Sequence, residues 1–276
     1  MSNRIRAELH SHSTYSDGAF EPAVVAQLCA DRGVKVWSLT DHDTCLGCRE
    51  AAEAAARLGI EFIAGIEVSA FADRSIHVLG YGVDPESAVL AEYSKRRLQA
   101  RRDRMRRMID KLAELGVPIE YERVAAIAGE GAIARPHLAR ALVEAGHVTT
   151  VQEAFDKWIS NEGAAYVETP WPKVPDAIAL IHEAGGVAVL AHPGIYHRDA
   201  LIAGWIEAGL DGIEARHPKH TAADEARYRA MADAAGLLVT GSSDYHGPEH
   251  LSASDFGRVE LEAGRLDALR AVLKAR

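Results

Sequence analysis

Hydrophobic and polar positions follow two rhythms along the chain. Short, almost wholly apolar runs come directly after helix-like stretches that end in glycine: "DRGVKVWSLTDHD", "RLGIEFIAGIEVS", "EAGGVAVLAHPG", "EAGLDGIEARHP" and "AAGLLVTGSSDYH". A glycine at such a joint stops a helix in the left-handed conformation. A strand without polar alternation is buried on both faces, as in a parallel sheet. The joints and their flanks predict about seven strands, roughly at 4–10, 35–40, 61–69, 75–81, 187–191, 211–215 and 237–242. The stretches between them carry helical periodicity, as in "EPAVVAQLCADRG", with Pro22 near a first turn, and "KVPDAIALIHEAGG". Repeated βα units of this size predict an α/β barrel with its helices outside.

Between about 84 and 170 the rhythm changes. A long amphipathic helix is predicted over about 86–115, with Leu98, Met105, Met108, Ile109, Leu112 and Leu115 roughly on one face. Shorter helical runs follow at 120–128, 136–145 and 151–160, with no strand between them. The expected organisation is a barrel made of 1–99 and 169–276, interrupted by a helical insertion at 100–168 that shapes substrate choice. The basic run "KRRLQARRDRMRRMIDK" at 95–111 reads as the solvated face of the long helix. A track for an oligonucleotide backbone is the sharper alternative.

Composition narrows the class. With 276 residues, 48% of them hydrophobic, the chain can bury a large core. No apolar run approaches the roughly 18 residues of a membrane helix, and "MSNRIRAELH" lacks the apolar stretch of a signal peptide. A cytoplasmic location is expected. The net charge of −9 gives no general attraction to nucleic acid, so an anionic substrate would need local cations or metal. Cys29, Cys45 and Cys48 are too few for a disulfide framework. The lone "CLGC" lacks the second pair of a structural zinc site, and both its cysteines read as helix-start residues.

The chemistry gathers where the predicted strands end. Strand one runs into "ELHSHSTYSD" with His10, His12 and Asp17; strand two into "TDHD" with Asp41, His42 and Asp43; strand three into Glu67. Strand four carries His77, strand five ends at His192, and strand seven at Asp244 and His246. Side chains two apart on a strand share a face, so His10 and His12 can converge. The carboxyl ends of parallel strands form one mouth, and many imidazoles and carboxylates packed there without partners would be costly. Metal ions resolve that cost by taking the lone pairs. Nitrogen and carboxylate ligands without cysteine suit Mn, Zn or Fe(II) in a multinuclear hydrolytic centre, and so many ligands exceed what one ion can use, which requires two or three. Of the thirteen histidines, His147, His182 and His250 match no strand end, His182 being expected to face solvent, and receive no role.

The motifs "ELHSHS", "LTDHD", "AHP" and "SDYH", in this order over residues 8–246, resemble those of the polymerase and histidinol phosphatase (PHP) family of amidohydrolase-like barrels. The resemblance implies a distorted (β/α)7 barrel with a trinuclear metal centre and phosphoesterase activity. It implies that His10, His12, Glu67 and Asp244 hold a first ion, that Glu67 bridges to a second held by His77 and His192, and that Asp17, His42 and His246 hold a third. Divalent manganese is the expected metal, with zinc, iron(II) or magnesium as alternatives. Glu8 stands where the family motif usually opens with Asp and is expected to orient ligands rather than to be one.

"ARPHLARALV" and "GIEARHPKH" resemble the branch of 3',5'-nucleoside bisphosphate phosphatases and a 5'-to-3' RNA exonuclease. The expected reaction is hydrolysis of the 3'-phosphate by a metal-bridging hydroxide, with Glu67 and Asp244 catalytic and Arg135 neutralising phosphoryl charge. Short RNA or DNA oligonucleotides are further expected partners. Arg135, with Pro136 beside it to start a helix, His137, His197 and Lys219 are the expected substrate-binding residues. Histidinol phosphate is the alternative substrate. An inactive metal-stabilised scaffold is disfavoured because all nine ligand positions are filled, and C–N hydrolysis because a third cation is most useful for holding a phosphate.

Overall fold

The structure, a computed structural model, describes residues 4–129, 132–168, 171–250 and 253–276. Eight strands form one sheet in the order β7-β6-β5-β4-β3-β2-β1-β8. They are β1 (Arg4–Glu8), β2 (Val36–Leu39), β3 (Glu61–Phe71), β4 (Ser75–Tyr81), β5 (Val187–Leu190), β6 (Gly212–Arg216), β7 (Leu238–Gly241) and β8 (Glu260–Glu262). The sheet curls into a nearly closed barrel. Beyond β1 and β7 the two sides meet through a parallel bridge between Ser11 and Tyr245, where the His12 N–H donates to the Tyr245 carbonyl at 2.8 Å.

All seven predicted strands are present, and two features depart from a purely parallel barrel. Strand β4 runs antiparallel to both β3 and β5. The connection from β3 to β4 spans only Ala72–Arg74, closed by the Ala72 N–H on the Arg74 carbonyl at 3.0 Å, far too short for a parallel crossover. Strand β8, which no periodicity announced, pairs antiparallel with β1. The first and last strands thereby lie side by side at one end of the sheet order.

The strands are apolar on both faces because both are covered. One buried cluster joins Ile66, Val68, Val78 and Leu190 to Ile178, Ile181 and Trp205 of the outer helices. Helix α1 (Pro22–Asp31) and helix α2 (Cys48–Leu58) cover Trp37 and Leu39 of β2. Cys48 opens α2 as expected, whereas Cys45 lies in the preceding turn; both are buried, and each Sγ approaches the Gly65 carbonyl.

The long helix α3 (Ala88–Glu114) is followed by α4 (Tyr121–Ala128), α5 (Arg135–Glu144) and α6 (Val151–Ala154), the last running into a π-helical turn at Phe155–Ile159. From Met105 to Val167 these helices close over an apolar cluster of their own, with Met108, Leu112, Leu138 and Leu142 fully buried. Helices α7 (Val174–Glu183), α8 (Asp199–Glu207), α9 (Ala222–Ala235) and α10 (Ala263–Ala275) complete the outer layer. Among the described residues no helix is long and apolar enough to cross a membrane.

Candidate metal centre

The ligand-bearing loops leave the strands under tight local control. Asp41, just past β2, accepts from the Ser13 N–H at 2.8 Å, the Ser13 hydroxyl at 2.6 Å and the Ser16 hydroxyl at 2.5 Å. That folds 13–16 into a turn that presents Asp17. Gly18 follows because a Cβ there would lie 2.5 Å from the His12 carbonyl. Asp43, His192 and Asp244 have φ of 58°, 30° and 55°, the left-handed region that non-glycine residues enter only where their surroundings hold them. They stand at the carboxyl ends of β2, β5 and β7. His77 is the third residue of β4, and because that strand is antiparallel its amino end lies at this same mouth.

Glu67, 1% exposed, is the centre of the arrangement. Its Oε1 lies 2.8 Å from His77 Nδ1 and 3.1 Å from His192 Nε2. Its Oε2 lies 2.9 Å from His42 Nδ1 and 3.3 Å from both His10 Nε2 and His12 Nε2. Asp244 Oδ1 faces the same two atoms of His10 and His12 at 3.3 and 3.2 Å. Asp17 Oδ1 lies 3.3 Å from His246 Nε2, and its Oδ2 is 3.8 Å from His42 Nε2.

Three groups therefore have ligand atoms within 4.8 Å of one another: His10, His12, Glu67 and Asp244; His12, Asp17, His42 and His246; and His42, Glu67 and His77. His192 reaches Glu67 but completes none of these groups. His12, His42 and Glu67 are shared between them, whereas the ligand sets implied by the family resemblance shared Glu67 alone.

The donor set fits divalent cations. His10 Nε2, His12 Nε2, His42 Nδ1, Glu67 Oε2 and Asp17 Oδ1 are buried yet make no hydrogen bond of acceptable geometry, so donor atoms converge there with no satisfying partner in the protein. Electrostatics agree. Burial pushes the Glu67 carboxyl up, but the His42, His10 and His77 imidazoles outweigh it and hold Glu67 well below the usual carboxylate range. Burial pushes His12 down, and Asp244 and Glu67 reverse this, holding it at about 10. His192, where burial wins over Glu67, is pushed down to about 4. In the metal-free protein, protons on imidazole stand in for cations.

A model of the PHP domain matches residues 8–160, more than half of the chain. The chain belongs to the PHP family. Among curated proteins, a 3',5'-nucleoside bisphosphate phosphatase of Chromobacterium violaceum is 36% identical over 92% of this chain and 91% of its own. A phosphoribosyl 1,2-cyclic phosphate 1,2-diphosphodiesterase of Eggerthella lenta is 35% identical over 95% and 99%, and a 5'-3' exoribonuclease of Haemophilus influenzae 34% over 87% and 90%. Among solved structures, a metal-dependent phosphoesterase from Bifidobacterium adolescentis matches with TM-score 0.90 at 30% identity over 99% of this chain and 98% of that one. An amidohydrolase from Chromobacterium violaceum, solved with sulfate and no metal, matches with TM-score 0.87 at 34% identity over 97% and 96%.

Around the candidate ligands stand Glu214 and His217, which sequence reasoning passed over, and Glu8. Glu214 of β6, fully buried, sits 3.2 Å from His10 Nδ1 and accepts the His192 N–H at 2.9 Å. His217 accepts the Lys219 N–H at Nδ1, and its Nε2 lies 3.3 Å from Asp244 Oδ2. Both follow from the strand-end rule applied to "GIEARHP". Glu8 accepts from the Ser242 and Ser243 hydroxyls, the Ser243 N–H and the Gly257 N–H, and so anchors the segment that carries Asp244.

The expected substrate residues lie around the centre rather than in it. Arg135 opens α5 and donates from NH1 to the Ile159 carbonyl at 3.1 Å and to Asn161 at 2.8 Å. His137, 3% exposed, accepts the Ala134 N–H at 3.0 Å, and burial pushes it down to about 4. His197 and Lys219 are exposed. Two histidines differ from expectation. His250 lies at the mouth, its ring 4.7 Å from that of His246. His182 is half-buried, its Nε2 2.7 Å from Asp211 in the segment just before β6.

Proposed function

We propose that this PHP-family phosphoric ester hydrolase removes the 3'-phosphate of nucleoside 3',5'-bisphosphates and accepts short 5'-phosphorylated oligonucleotides. The observation that carries the reading is Glu67, one buried carboxylate faced by five imidazoles within 3.3 Å, with lone pairs left open on both sides. We assign His10, His12, Asp17, His42, Glu67, His77, His192, Asp244 and His246 as ligands of two or three divalent ions, manganese by preference. Bound there, such ions supply Lewis acidity toward phosphoryl oxygens and acidify water. Glu67 and Asp244, which both face His10 and His12, would hold such ions, and Glu214 fixes the His10 tautomer.

The cations balance the phosphate that is cut. A second phosphate needs partners of its own, and we assign it to Arg135, His137, His197 and Lys219, with 100–168 acting as the insertion that selects substrate and 1–99 with 169–276 as the barrel. Arg135 stands at the first position of α5, where its guanidinium fork favours an anion. A cytoplasmic location fits the sequence and this substrate class.

Phosphate release by the manganese-loaded protein tests the reading. Each charge-assisted bond to a held phosphate contributes roughly 1.5 to 3 kcal/mol, so kcat/KM for adenosine 3',5'-bisphosphate should exceed that for 3'-AMP by at least about tenfold. Comparable constants, or preference for histidinol phosphate or a ribose 1,2-cyclic phosphate, would overturn the substrate assignment while leaving the esterase.

A further inference from the structure

Asp43 belongs to no ligand group, yet it is fully buried in a left-handed conformation one residue from His42. Its carboxylate is fully engaged. Oδ1 accepts the Ser69 N–H at 2.8 Å and the Tyr93 hydroxyl at 2.7 Å, while Oδ2 accepts Arg101 Nε at 3.0 Å and NH2 at 2.6 Å. Arg101 NH2 also donates to the Ser69 hydroxyl at 3.0 Å, and the guanidinium lies 5.3 Å from the Trp171 ring centre. Arg101 is on α3, four residues before the helical cluster that begins at Met105.

The backbone on either side of His42 is tied to the bridging carboxylate's own residue. The Glu67 N–H donates to the Asp41 carbonyl at 3.1 Å, and the Asp43 N–H donates to the Glu67 carbonyl at 2.9 Å. His42 in turn faces Glu67 through Nδ1 and Asp17 through Nε2, so it links two of the three ligand groups.

We propose that Asp43 and Arg101 are a positioning pair through which the long helix α3 sets His42, and with it cation binding at the Asp17, His42 and His246 group. The inference rests on the ligand assignment above and extends it by making the helical segment a determinant of metal occupancy. A buried carboxylate stripped of its guanidinium must rehydrate or turn. In a left-handed residue held only by its surroundings, that movement passes directly to the adjacent His42.

The test is metal content and affinity rather than turnover. Wild-type protein, Arg101→Gln, Arg101→Lys and Asp43→Asn/Arg101→Gln are loaded with manganese, dialysed and measured by elemental analysis, with manganese titration followed by electron paramagnetic resonance. Thermal melts identify the folded variants. Arg101→Gln should retain one ion fewer and bind it about tenfold or more weakly, the scale seen when a ligand-supporting partner is lost. Arg101→Lys, with charge but no fork, should recover part of that loss. The double variant removes both charges of the pair and so leaves no buried Asp43 carboxylate without its guanidinium; it should fold even where Arg101→Gln does not, and still lose the ion. Folded variants that keep every ion at wild-type affinity overturn the inference alone. A wild-type chain that binds no manganese overturns the ligand assignment and this inference with it.

Discussion

Glu67→Gln keeps the size of the side chain and removes its charge at the point where the ligand groups meet. Five imidazole nitrogens lie between 2.8 and 3.3 Å of its oxygens, and cations held there would face the same carboxylate. At an effective dielectric constant of about 20, a unit charge about 3 Å away interacts with the carboxylate by roughly 5 kcal/mol, and a divalent ion by twice that. Desolvation offsets much of this gain, because Glu67 is 1% exposed. A net loss of about 4 kcal/mol is a conservative figure and corresponds to about three orders of magnitude in turnover. The amide adds a second defect, since one bridging oxygen becomes an N–H donor that cannot ligate. The assay pairs phosphate release from adenosine 3',5'-bisphosphate with manganese content of the same preparation. Turnover should fall about a thousandfold or more and the protein should lose at least one ion while still folding. Near-native turnover together with native metal content would refute the bridging role and the multinuclear centre built on it.

Other expectations follow from the same geometry. His12 is held at about 10 by facing carboxylates that outweigh burial, so it carries a proton at pH 8 until cations displace it, and the same carboxylates with Glu214 raise His10. Calorimetric titration with manganese in buffers of different ionisation enthalpy should show release of at least one proton, and zero release would contradict this. In the metal-free fold the His12 contribution is fully present below its ordinary value of 6.5 and is lost as pH rises through about 10, a decline that melts across that window should show. Glu214→Gln should weaken manganese binding about tenfold to a hundredfold, because Glu214 fixes His10 from behind; unchanged affinity removes it from the site. Arg135→Ala should raise KM for the bisphosphate more than for 3'-AMP, and equal effects on both would place the second phosphate elsewhere. Leu138→Ala should cost about 2 to 5 kcal/mol in denaturant unfolding, since Leu138 is fully buried in the helical cluster; a cost under 1 would mean that cluster is loosely packed.

Much of the barrel was legible because burial on both faces leaves an unbroken apolar run, and each αβ joint carries its own glycine stop. All seven strands so read are present, and the helices over 86–115, 120–128 and 136–145 fall within two residues of their observed bounds. The run at 151–160 is less regular, a single helical turn passing into a π-helical one. The reversal of β4 was available in principle, from a three-residue link that no parallel crossover can use, but a strand's direction has no signature in its own residues. Strand β8 has three residues and owes its pairing to β1, more than 250 positions away. At the mouth, the strand-end rule reached the residues that the fold brings into one cluster and overlooked Glu214 and His217, although the same rule reaches both.

By itself the sequence determined which side chains stand at strand ends, since period and joint chemistry are local properties of the chain. It also determined the ligand type, because nitrogen and carboxylate donors are set by residue identity. Only the tertiary structure decided which of those donors face one another: that Glu67 lies among five imidazoles, that His12 and His42 are shared between groups, and that Asp43 answers to Arg101, 58 positions away. Contacts of 2.8 to 3.3 Å between side chains from different strands come from register, barrel curvature and strand direction. Those quantities are fixed by how all the strands close together, and no single segment encodes them.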